Sequence, residues 1–115
     1  MASAVASLAL IVSFSPAGAA DLAMEGSAIA AARCGKCHSV GVADDSPHQI
    51  TPPFRTLGER YPIDMLVEAL KTGSISGHDE MPQFDLGPDG IRALVAYIDS
   101  LNPKGPHYLD LGQKP

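Results

Sequence analysis

Residues 34–38 read Cys-Gly-Lys-Cys-His, and Cys34 and Cys37 are the only two cysteines in the 115-residue chain. Two thiols this close, with an imidazole beside the second, admit four chemistries: a disulfide, half of a zinc site, a redox dithiol, or paired attachment points for a prosthetic group. As a disulfide the pair closes almost no loop and constrains the unfolded chain little. A structural zinc takes four ligands; there is no second cysteine pair, and His48 and His78 stand at no recognised ligand spacing. A thioredoxin-type dithiol follows a strand, whereas an alanine-rich helical stretch precedes Cys34.

The fourth chemistry is the attachment of haem through C-x-x-C-H. Two thiols add across the two vinyl groups of the ring, so Cys34 and Cys37 must lie one short turn apart on the same side of it. The adjacent His38 is thereby held under the iron as proximal ligand. A disulfide or dithiol remains the alternative. Haem held by one histidine leaves an open face, and "HDEMPQF" presents Met81, followed by Pro82, from a loop of charged residues with no helical face to join. A thioether there favours Fe(II) over Fe(III) and raises the reduction potential. Met81 is the expected second axial ligand, with His78 as the alternative. Met65 reads as core filling on a helix, Met24 has no assigned role, and His48 and His107 read as surface histidines.

Several elements must position these residues. "LAMEGSAIAAAR", residues 22–33, reads as a short helix running into Cys34, although Gly26 weakens it. Residues 40–53 carry turn formers throughout and read as a long irregular loop. In "YPIDMLVEALKTG" Pro62 suits a first turn, Ile63, Leu66, Val67 and Leu70 recur at helical spacing, and Gly73 is a stop. Residues 73–87 form a second Gly/Pro-punctuated loop. "PDGIRALVAYIDSLNP" then places Ile91, Leu94, Val95, Ile98 and Leu101 on one face and ends at Asn102-Pro103. No stretch alternates as a half-buried strand does. The expected fold is all-α, three to four short helices with long loops, and loops of that length in a compact domain are organised around something.

Residues 1–20 carry no charged side chain, hold an apolar run over 5–14 broken at Pro16, and end in small residues before Asp21. That is the layout of a cleaved secretory signal, short of the about 20 apolar residues a bilayer span needs, although the usual early Lys or Arg is missing. We expect a signal over 1–20 and one domain over 21–115, with its core at about 22–101 and a tail over 102–115. The expected location is the periplasm, or a membrane anchor if the signal stays. The chain beyond residue 20 carries the whole net charge of −5, which argues against nucleic acid and against an acidic membrane surface as partner. It has five aromatic residues and no Trp, so something other than side chains is expected to fill a core this small.

These residues together resemble the class I cytochromes c, specifically the small soluble monohaem type of bacteria. The likeness covers about residues 22–101. "CGKCH" falls at the end of the first helix, Gly26 stands where the family's first and last helices cross, "TPPF" resembles its proline loop, "MPQF" its methionine loop, and "IRALVAYIDSL" its last helix, with Leu94 and Tyr97 packing on the first. Ala30 stands where many members carry an aromatic, and lysine is sparse. The resemblance implies a cytochrome c-like fold around one haem c on Cys34 and Cys37, His38 and Met81 as axial ligands, and the Pro52 carbonyl as acceptor for His38 Nδ1–H. It implies a monomeric one-electron carrier, not an enzyme, that meets donor and acceptor proteins transiently. A gas binder or sensor with a displaceable sixth ligand is the main alternative; a peroxidase is a weaker one.

Overall fold

The computed structural model describes residues 2, 3, 5, 7–13, 18–73 and 81–102. Four helices make up the fold: α1 (Ala19–Arg33), α2 (Phe54–Arg60), α3 (Ile63–Thr72) and α4 (Gly87–Ser100). No strand occurs among the described residues. His78, His107 and the tail beyond Asn102 lie outside them.

Helix α1 draws on the high helix propensity of alanine, with Asp21 in its first turn and Arg33 in its last, each at the end of the helix dipole that favours its charge. It starts earlier than the periodicity suggests, because the Gly18 carbonyl accepts from the amides of Asp21 at 3.1 Å and Leu22 at 3.2 Å. Helix α2 is not evident in the sequence. Its seven residues hold only Phe54 and Leu57 as buried anchors, and the Thr56 hydroxyl donates to the Pro53 carbonyl at 2.8 Å to start it. Pro62 opens α3 and Gly73, at φ 67°, closes it in the left-handed conformation that glycine adopts without penalty. Pro88 and Asp89 stand in the first turn of α4, as proline's fixed φ and an acid's charge favour.

The main core is Ala30, Cys34, Phe54, Leu57, Leu94 and Ile98, formed where α1 and α4 cross and α2 closes beneath them. A smaller cluster of Ile91 and Val95 sits against α3, whose Ile63 and Leu70 pack half-buried on both clusters. The crossing is very close: a Cβ added to Gly26 would lie 1.9 Å from the Ala93 carbonyl oxygen. The Tyr97 hydroxyl donates to the Val40 carbonyl, tying the loop that follows Cys-Gly-Lys-Cys-His to α4. Tyr97→Phe is expected to remove about 1 kcal/mol and to lower the melting temperature of the haem-loaded protein by about 4–8 °C, as thermal unfolding followed by circular dichroism would report.

Two features of the chain depart from or extend the sequence reading. Met65 does not fill the core: it is 58% exposed and stands on the wall of the cavity described below. Near the N-terminus Val5, Leu8, Leu10, Ile11 and Val12 are 70–91% exposed, so this apolar segment does not pack on the helices. Among the described residues no helix is long and apolar enough to cross a membrane.

Candidate functional site

The Cys-Gly-Lys-Cys-His tract is built as a continuation of α1. The Cys34 amide donates to the Ala30 carbonyl at 2.9 Å, and the amides of Cys37 and His38 both donate back to the Cys34 carbonyl, at 3.2 and 2.9 Å. One further helical turn thus separates Cys34 from His38, which puts both on the same side; both are buried, whereas Cys37 is exposed. The two thiols are not joined as a disulfide. Burial pushes the Cys34 thiol up to about 11, from an ordinary value of 9.0.

His38 is held from two directions. Its Nδ1 lies 2.7 Å from the Pro52 carbonyl oxygen. A carbonyl can only accept, so Nδ1 carries the hydrogen and Nε2 keeps its lone pair for a metal. The Phe54 ring packs on the imidazole at 5.1 Å between centroids and 58° between planes. Pro52 and Phe54 reach it because the loop over residues 39–53 folds back on itself. The Phe54 amide donates to the Ser39 carbonyl at 2.9 Å, the His48 amide to the Cys37 carbonyl at 3.3 Å, and Ser46 Oγ accepts from the Ser39 amide at 3.0 Å. Arg55 donates to the Asp44 carbonyl at 2.6 Å and fastens the outer limb. His48 is exposed at the surface, with its Nδ1 2.9 Å from the Thr51 hydroxyl.

Cys34, His38, Pro52 and Met81 line one cavity of about 380 Å³, within the range typical of ligand sites. Cys37 is not in its wall. The rest of the wall is mainly apolar, with Phe54, Leu57, Leu66, Leu70, Leu94 and Ile98 prominent, and Glu68 is its one acid among the described residues. Tyr61 and Met65, both partly open to solvent, stand in the wall as well. Neither was distinguishable in the sequence from an ordinary helix-flanking residue.

This donor set fits a haem. A buried imidazole with a fixed tautomer, a thioether and a thiol share one apolar cavity, and the second thiol lies one turn away on the same tract. It does not fit a structural zinc: among the described residues no three His, Cys, Asp or Glu side chains gather closely enough to hold a metal ion. Helix α1 runs directly into Cys34, where a thioredoxin-type dithiol would require a strand.

Comparison with known families gives a match over residues 21–98 to the one described as cytochrome c oxidase, cbb3-type, subunit III. No curated protein and no solved structure matches the chain. The matched span runs from the start of α1 through the body of α4 and includes the attachment tract and every residue of the cavity wall. Four helices and no strand among the described residues, a haem-shaped donor set, and a match of that extent lead to one conclusion: the chain belongs to the cbb3-type cytochrome c oxidase subunit III family, and its folded unit is a class I cytochrome c-like domain that carries haem c.

Proposed function

We propose that this chain is an exported, single-haem electron carrier of the periplasm, attached to its haem through Cys34 and Cys37, with His38 and Met81 as the axial ligands. The observation that carries this is the meeting of His38 and Met81 on one apolar cavity, with Nδ1 of His38 already committed to Pro52. Haem bound there supplies a reversible one-electron change at its iron. The Pro52 carbonyl fixes the ring orientation of His38 and keeps its Nε2 basic. Met81 offers a neutral, soft sulfur that favours the reduced state. The leucine-rich wall would offer the ring an apolar surface. If His38 and Met81 both bind the iron, neither axial position is left for a substrate, which favours a carrier over an enzyme or a gas binder.

Export is supported by the apolar N-terminal segment, whose exposed side chains could be removed without loss of core packing. Cleavage after Ala20 would take only the first two residues of α1. A net charge of −5 favours redox partners that present a positive docking patch, met through a small transient interface.

Intact mass and the pyridine haemochrome spectrum of protein from a haem-maturing host test the core of this. We expect the mass of one haem on a chain that begins near Asp21, and a spectrum of two thioether links. The oxidised protein should show the charge-transfer band of thioether-bound Fe(III). Met81→Ala should lose that band and lower the reduction potential by on the order of 0.2 V, a fraction of the ~0.8 V that axial ligands span. Ready uptake of CO by the reduced wild type would favour the gas binder, and colourless protein with two titratable thiols the dithiol.

A further inference from the structure

We propose that Gln83 is a positioning residue for Met81, and that it acts by lying flat on the backbone of Gly73. This builds on Met81 as an axial ligand. Met81 lies with residues 82–86 in a stretch that is neither helix nor strand, so its hold on the cavity has to come from contacts rather than from a ladder of backbone hydrogen bonds. Gly73 supplies the contact. A Cβ at Gly73 would lie 2.3 Å from Nε2, 2.5 Å from Cδ and 2.8 Å from Cγ of Gln83. Three successive atoms of one side chain occupy the place a Cβ would take, so the Gln83 side chain runs along the end of α3 rather than merely touching it.

Two other observations place this contact next to Met81. Gly73, Gln83 and Met81 share, with Leu70, the wall of a second cavity of about 30 Å³, room for about one water. Leu70 and Met81 also line the large cavity, so Met81 stands in the partition between the two. Gln83 is otherwise exposed, so burial does not account for its position against α3. Gly73 therefore meets two demands. The left-handed backbone that ends α3 would accept asparagine as well as glycine; any side chain at 73 would also push the flexible Gln83 side chain off its seat.

The experiment compares oxidised, haem-loaded wild type with Gln83→Ala, Gln83→Glu, Gly73→Asn and Met81→Ala, titrating each with imidazole, which competes for the face that Met81 occupies. Gln83→Ala and Gly73→Asn are each expected to bind imidazole about tenfold more tightly than wild type, the effect of releasing one ordered side chain. The thioether charge-transfer band should weaken in both, with helical circular dichroism unchanged. Gln83→Glu keeps the length and methylenes that lie on Gly73 and should stay within about twofold of wild type, a rescue that a general loss of stability would not show. If Met81→Ala loses the band and gains imidazole affinity while Gln83→Ala and Gly73→Asn behave as wild type, Met81 is the ligand and Gln83 does not position it. If Met81→Ala leaves band and affinity as they were, the ligand assignment fails and takes the role of Gln83 with it.

Discussion

Gly26→Ala is expected to lower the stability of the haem-loaded protein by at least about 3 kcal/mol, the upper end of ordinary overpacking. The new methyl group would lie 1.9 Å from the carbonyl oxygen of Ala93, 2.5 Å from its carbonyl carbon and 2.8 Å from Cβ of Tyr97. Two of these are backbone atoms and the third is fixed to the backbone, so no rotamer change relieves the contact. The helices must separate, and the packing of Ala30, wholly buried, against Leu94 opens with them. Alanine inside a helix is worth about 1 kcal/mol more than glycine in propensity, which is too little to reverse the sign. Thermal unfolding should show the melting temperature down by about 12 °C or more. A variant that melts within about 3 °C of wild type would show that α1 and α4 do not approach as closely as described.

A chain with both Cys34→Ala and Cys37→Ala is expected to be colourless and largely unfolded. Cys34, Phe54, Leu57, Leu94 and Ile98 belong both to the main core and to the wall of the 380 Å³ cavity. The core is thus a shell around a space that side chains do not fill. Without the group these apolar side chains face water, and each that loses its burial forgoes about 1.5–3 kcal/mol, against about 5–15 kcal/mol for the whole stability of an ordinary domain. Far-UV circular dichroism of the double variant should show most of the helical signal gone, and urea should produce no cooperative transition. A well-folded double variant would show that the helices hold without the group, and would reopen the dithiol alternative.

How much of this is legible in the sequence differs from element to element. Helices α3 and α4 are, because Ile63, Leu66 and Leu70, or Ile91, Leu94 and Ile98, repeat at the helical period and bear a Pro at one end. The attachment tract is legible because its spacing carries chemistry with few alternatives. Helix α2 is not, since two apolar anchors in seven residues make no period; it is helical because Phe54 and Leu57 are drawn into the shell around the cavity. Met65 misleads for a related reason: its position on α3 is apolar by pattern, yet that face looks onto a cavity, where a side chain can be both apolar and exposed. The seat of Gln83 on Gly73 joins residues from different segments, and nothing local in either marks the other.

The close crossing at Gly26 and Ala93 joins the first helix to the last. A polypeptide that emerges N-terminus first therefore presents Cys34 well before α4 exists to cover it. For that interval both cysteines are open to solvent, whereas with α1 and α4 together Cys34 is buried and Cys37 exposed. Gly26 and Ala93 stand far apart along the chain, so their meeting closes a long loop, and that entropy is lost before the contact offsets it.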